Sequence, residues 1–161
     1  MTFRLWSNDL TDGGTMPNAQ VLNGMGHNGD NISPHLAWEG APEGTRSFVL
    51  NCYDPDAPTG SGWWHWVVAN IPAGVSELKT GAGSPGGALP ASALQTRTDF
   101  GSPGYGGAAP PPGAPHRYIF TIFALSVPAL DINADVSAAL VGFLVNMNKL
   151  GQASLTVQYG A

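Results

Sequence analysis

Apolar residues run along this chain in short bursts, and glycine or proline interrupts most of them before helical length is reached. Ser47-Phe-Val-Leu-Asn-Cys-Tyr53 and Trp63-Trp-His-Trp-Val-Val-Ala69 are rich in aromatic and β-branched residues and too short for typical helices, which predicts two strands. The strongest strand pattern is His116-Arg-Tyr-Ile-Phe-Thr-Ile-Phe-Ala-Leu125. Period two places His116, Tyr118, Phe120 and Ile122 on one face and Arg117, Ile119, Thr121 and Phe123 on the other. The same alternation sets Trp63 and His65 against Trp64 and Trp66. Weaker strand patterns cover Thr2 to Trp6 and Ala153 to Tyr159. One helix is predicted, from a cap at Asn133 or Asp135 to about Leu150. Val136, Leu140, Phe143, Leu144 and Met147 form its apolar stripe, and Gly151 ends it.

Turn-rich stretches separate these elements: Asp12-Gly-Gly, Asn23 to Pro34 around His27, Glu39 to Thr45, and Ala69 to Gly74, where Pro72 stops a strand. His27 is expected in a surface loop, and His35 in a structural role. From Leu78 to Pro115 periodicity disappears, while Gly-Ser-Pro-Gly occurs twice and Pro110, Pro111 and Pro112 follow. A loop of this length in a compact domain is functional or disordered, and Phe100, Tyr105 and the prolines favour an ordered loop with a task.

With 161 residues the chain suits one domain, 1–161, long enough to bury a core without disulfides or a metal. Charged residues make up only 11%, which argues against disorder, and 22 Gly with 14 Pro argue against an all-helical protein. The formal charge is −5 and the six Lys and Arg are scattered, so nucleic acid is not an expected partner. The single Cys52 excludes an intrachain disulfide and reads as a buried, unreactive thiol. Met1 to Gln20 lacks the apolar stretch of a secretory signal, and no segment approaches the ~20 apolar residues of a membrane span. The expectation is a soluble cytoplasmic protein.

The chemistry concentrates between the first two strong strands. In Asp54-Pro-Asp-Ala-Pro58 each proline restricts the residue before it, so the carboxylates of Asp54 and Asp56 sit on stiff backbone. Such carboxylates either close an Asx turn or orient a neighbour. A fixed carboxylate beside His65 would set its tautomer and leave the other ring nitrogen facing outward. A cis peptide at Ala57-Pro58 would fit the tightness of this turn. G-x-S-x-G, phosphate-loop, H-E-x-x-H and paired C-x-x-C motifs are all missing, and neither a metal nor a cofactor is predicted. What remains is a constellation of Asp54, Asp56, His65, His116 and Tyr118, with Tyr105, Pro111 and Pro112 as candidate walls.

D-P-D-A-P, the W-H strand running to Asn70, and Y-G-G…P-P-P-G…H-R-Y-I-F together resemble the phosphatidylethanolamine-binding protein family, which includes Raf kinase inhibitor proteins and plant flowering regulators. N-I-S-P-H-L-A-W, A-P-E-G-T-R-S-F, Q-T-R-T-D-F-G and A-S-L-T-V-Q-Y-G are similar to its prokaryotic, Raf-kinase-inhibitor-like branch. The resemblance spans nearly the whole chain. It implies a mainly β fold, an antiparallel β-sandwich of Greek-key type with a small helical element near the C-terminus. It also implies a shallow anion pocket formed by Asp54, His65, His116 and Tyr118 with Pro111 and Pro112, Asp56 supporting the rim, and a capacity to form homodimers. Two departures bear on ligand range: a remodelled rim at Ala108-Ala109 and Pro112 to Pro115, and Asn148 where the family's helix often carries a His.

The leading expectation is therefore a non-catalytic module that binds a phosphate-bearing small molecule or a phosphorylated protein, in the manner of a kinase-inhibitor-like regulator. The alternatives are a small-molecule ester or phosphoester hydrolase using Asp54 and His65, and a protein that acts through its surface alone.

Overall fold

The structure is a computed structural model describing residues 2–161. In chain order its strands are β1 (Arg4–Trp6), β2 (Asn23–Gly24), β3 (His27–Asn28), β4 (Leu36–Glu39), β5 (Ser47–Asp54), β6 (Trp63–Pro72), β7 (Glu77–Leu78), β8 (Leu94–Gln95), β9 (His116–Leu125) and β10 (Lys149–Tyr159). One α-helix, α1 (Ala138–Asn148), precedes the last strand. The larger sheet has the order β10-β9-β5-β6-β8 and the smaller β1-β4-β7, with every pairing antiparallel. β2 and β3 form a separate hairpin.

The layers follow from which side chains each strand turns inward. Phe48, Leu50 and Cys52 of β5, Trp66 and Val68 of β6, and Phe120 and Ile122 of β9 join Leu5, Leu36, Trp38 and Leu78 of the smaller sheet in one buried cluster. The opposite face of the larger sheet, through Val49, Val67, Ala69 and Leu125, is covered by Ala138, Val141 and Val145 of α1. With both faces covered, Ser47 to Cys52 are all buried, which explains why β5 reads as a continuous apolar run.

Strict alternation fails twice along β6, near Asn70 and again at the point that matters for function. Cys52 pairs with Trp66 and Tyr53 with Trp64, so His65 is the extra residue of a β-bulge in β6. The bulge turns His65 toward Tyr118, on the same side of the sheet as Trp66, instead of opposite Trp66 as period two predicts.

The helix also departs from expectation. Ser137 caps it, accepting from the Leu140 N–H, while Asn133 accepts from Asp135 N–H in a turn of its own. The small residues Ala138, Val141 and Val145 lie on the sheet, which lets the helix approach closely. Leu140, Phe143 and Met147 of the predicted stripe are 41%, 63% and 66% exposed. Lys149 leads straight into β10, so Gly151 belongs to that strand, beside an irregularity in its pairing with β9. No peptide among the described residues is cis, so Ala57-Pro58 is trans. The long segment before Pro115 is ordered: after β8 it continues alongside β6, with Thr96 N–H donating to Val67 O and Asp99 N–H to Trp64 O.

This arrangement fixes the stability of the helix layer. Val141→Ala should cost about 1–3 kcal/mol in urea unfolding, whereas Phe143→Ser should stay within about 0.5 kcal/mol. A larger loss at Phe143 would place the wrong face of α1 on the sheet.

Candidate functional site

Two rows of inward-facing residues end in polar groups at the same margin of the larger sheet. On β5 the row Phe48, Leu50, Cys52 ends in Asp54; on β9 the row Ile122, Phe120, Tyr118 ends in His116. The bulged His65 joins them from β6. Asp54, His65, His116 and Tyr118 line a cavity of about 440 Å³ with Trp63, Phe100, Pro111 and Pro112.

Asp54 divides its carboxylate. Oδ2 lies 2.7 Å from His116 Nδ1, and Oδ1 accepts the Asp56 N–H at 2.8 Å, so the residue closes an Asx turn and orients an imidazole at once. Because a carboxylate accepts, His116 Nδ1 carries the proton and Nε2 is left to the cavity. Asp54 and His116 are only 2% and 9% exposed. A hydrogen bond from His65 to a carboxylate does not form. Its Nδ1 donates instead to the Gly106 carbonyl at 2.7 Å, since the antiparallel rows of β5 and β9 bring Asp54 to His116. A carbonyl also only accepts, so His65 likewise turns Nε2 to the cavity.

The protonation states follow from the surroundings. Burial pulls His65 below the ordinary imidazole range, opposed by the Gly106 carbonyl and by Asp54. The ring is therefore neutral at pH 7, with Nε2 an acceptor. Burial, reinforced by Asp54, pushes the Tyr118 phenol well up, so its hydroxyl keeps its proton. Tyr118 Oη and Trp63 Nε1 are both buried without a protein partner. Two buried donors without a protein partner thus belong to residues that line the cavity, beside two imidazoles whose Nδ1 atoms are already committed. No group of three or more His, Cys, Asp or Glu among the described residues is placed to hold a metal.

Of the predicted residues, Asp54, His65, His116, Tyr118, Pro111 and Pro112 come together and two do not. Tyr105 points into the core, donating its hydroxyl to Gln20 O at 2.7 Å and packing edge-on against Trp66, so it is no wall of the cavity. Its neighbour Gly106 does the work through a backbone carbonyl, and a Cβ there would stand 2.3 Å from the Phe100 ring. Asp56 turns outward onto Arg117, taking the backbone N–H and Nε on Oδ2 at 2.9 and 3.0 Å and Nη2 on Oδ1 at 2.9 Å. His27, expected in a surface loop, braces the rim through Nε2 and Pro110 O at 2.9 Å. His35 is structural, accepting from Asn8 N–H at Nδ1 and lying 2.9 Å from Glu77. Sequence reasoning did not place Met25 or Gly106 at the site, and it noted Trp63 and Phe100 only as a face-mate of His65 and a sign of an ordered loop. Trp63 was findable, since it shares a face with His65; a carbonyl has no signature in sequence.

Arg117 holds the Asp56 carboxyl down at about 2. Its folded value lies below the unfolded one of about 3.9, so the pair stabilises the fold above that pH and the contribution fades as pH falls toward 2. The stability gap between wild type and Asp56→Asn in urea should accordingly shrink between pH 5 and pH 2. A constant gap would mean that Asp56 is not held by Arg117.

The family model for the phosphatidylethanolamine-binding protein matches residues 6–160. The chain is 58% identical to the UPF0098 protein YbhB of Escherichia coli K12 over 156 residues, covering 97% of this chain and 99% of that protein. The crystal structure of E. coli YbcL, described as a new member of the mammalian PEBP family, superposes with a TM-score of 0.96 at 47% identity, covering 99% of this chain and 98% of that one. A PEBP homolog from Chlamydia trachomatis superposes with a TM-score of 0.83 at 28% identity over 99% of this chain and 98% of that one. With the family's model matched over nearly the whole chain and its fold reproduced, this protein belongs to the phosphatidylethanolamine-binding protein family.

Proposed function

We propose that this protein is a non-catalytic binding module whose cavity floor takes the phosphate group of a small molecule or of a phosphorylated partner, as a regulator would. The observation that carries this reading is the pair of buried donors without partners, Tyr118 Oη and Trp63 Nε1, beside the two histidines. An unpaired buried donor costs about 1–3 kcal/mol, and an oxyanion seated on the floor would recover it. The family's name, given for a phospholipid head group, points the same way. The cytoplasm suits a chain whose one thiol, Cys52, is buried and unpaired.

The floor has no permanent cation, because no Lys or Arg is among the described residues that line it. An anion there stabilises imidazolium, so the histidine pKa is higher in the bound state than in the free one. Affinity therefore rises as pH falls through the interval between the two values.

A hydrolase would use Asp54 and His116, not Asp54 and His65, as its base pair. It has less in its favour: the Cys52 thiol is buried and pushed up by that burial, and Thr59 Oγ1 is spent on Gly62 O. Only a water could serve as nucleophile.

Sulfate stays a dianion between pH 8 and 5.5, so a change in its affinity reports protons on the protein. Titration calorimetry should find sulfate binding about tenfold tighter at pH 5.5 than at pH 8, and Tyr118→Phe should weaken it severalfold at both. Flat pH dependence together with an indifferent Tyr118→Phe would remove the anion-binding reading.

A further inference from the structure

Above its polar floor the cavity is apolar, and one residue of that collar sits where an apolar side chain is disfavoured. Gly24 pairs with His27 across the β2–β3 hairpin, leaving Met25 and Gly26 as a two-residue loop with φ of +52° and +86°. Positive φ at both positions is the pattern of a type I′ turn, in which Asn, Asp and Gly are the usual residues. Met25 is 68% exposed, so burial in the core does not offset the conformational cost. Its side chain lies instead at the cavity mouth. The hairpin is tied to the opposite part of the rim, with His27 Nε2 2.9 Å from Pro110 O and the His27 ring edge-on to Tyr159.

Apolar surface also begins immediately beside the anion floor. Phe100 packs edge-on against His65 and Trp63, with ring centroids 5.5 and 5.3 Å apart. An oxyanion at His65 Nε2 would therefore have its next substituent against Phe100, with Met25 at the mouth. The volume of about 440 Å³ lies in the range of roughly 300–1,000 Å³ typical of sites for drug-sized ligands. Inorganic phosphate, with five heavy atoms, would leave most of it unfilled.

Resting on the anion-binding reading above, we infer that Met25 is a specificity-determining residue: the cavity takes phosphomonoesters whose ester oxygen carries an apolar group, in preference to inorganic phosphate. The phosphate meets Tyr118, Trp63 and the histidines, and the apolar group meets Phe100 and Met25. A thioether is suited to this place because it is polarisable and adapts its shape to an aromatic or aliphatic substituent.

Titration calorimetry on the full chain with inorganic phosphate, phenyl phosphate and phenol tests this, comparing wild type with Met25→Asn. Asparagine suits the type I′ position, so the variant should fold with an unchanged or raised Tm. Phenyl phosphate should bind wild type about tenfold more tightly than inorganic phosphate does, and Met25→Asn should cut that ratio about fivefold. Equal affinities in wild type, or the same ratio in both proteins, would overturn the role of Met25 and leave the anion-binding reading intact. Phenol binding as tightly as phenyl phosphate would overturn both.

Discussion

The hydrogen bond between Asp54 Oδ2 and His116 Nδ1, 2.7 Å long, joins the last residue of β5 to the first of β9, and the site depends on it. A carboxylate at 2% exposure is costly unless its charge is met by donors, and here the imidazole and the Asp56 N–H supply them. Two residues beyond Asp54 and one beyond His116, Asp56 binds Arg117 on the outer side. Two acid–base pairs thus straddle one margin of the sheet. D-P-D-A-P and H-R-Y, 62 positions apart at Asp54 and His116, act as the two halves of one fastening.

With that fastening in place, the remaining groups are held by the backbone. The bulge at His65 aims its ring at the same cavity, and the Gly106 carbonyl fixes which nitrogen carries the proton. The result is a set of hydrogen-bonding groups gathered in an apolar setting, with both Nδ1 atoms already committed. A site built from Lys and Arg would hold anions at any pH. On the proposed reading, this one would instead tie binding to protonation.

Most of the architecture was legible in the sequence because it rests on local patterning. The aromatic and β-branched runs marked β5, β6 and β9, and β9 has the predicted bounds of His116 and Leu125. The errors arose where a contact, not a period, decides. Val136 and Leu144 of the predicted helix stripe do pack toward the sheet, but Leu140, Phe143 and Met147 do not, and Ala138, Val141 and Val145 face it because close approach favours small side chains. Trp66 was assigned the face opposite His65 because a bulge is set by pairing between strands, which no single strand reveals. At the site, Asp54, His65, His116 and Tyr118 could be grouped beforehand, since each stands in a motif. Gly106 could not, since it acts through its carbonyl, and Tyr105 misled because an aromatic residue in a glycine-rich loop reads as a wall until its partners in the core are known.

The central claim is that both imidazoles are held as Nδ1–H tautomers with Nε2 turned to the cavity. The most direct measurement is 15N NMR of the histidine side chains at pH 7.5, with and without inorganic phosphate. Protonated Nδ1 in His65 and His116, with both Nε2 resonances moving toward the imidazolium position as phosphate is added, is the predicted result. An Nε2–H tautomer at either ring, or Nε2 resonances that ignore phosphate, would contradict it.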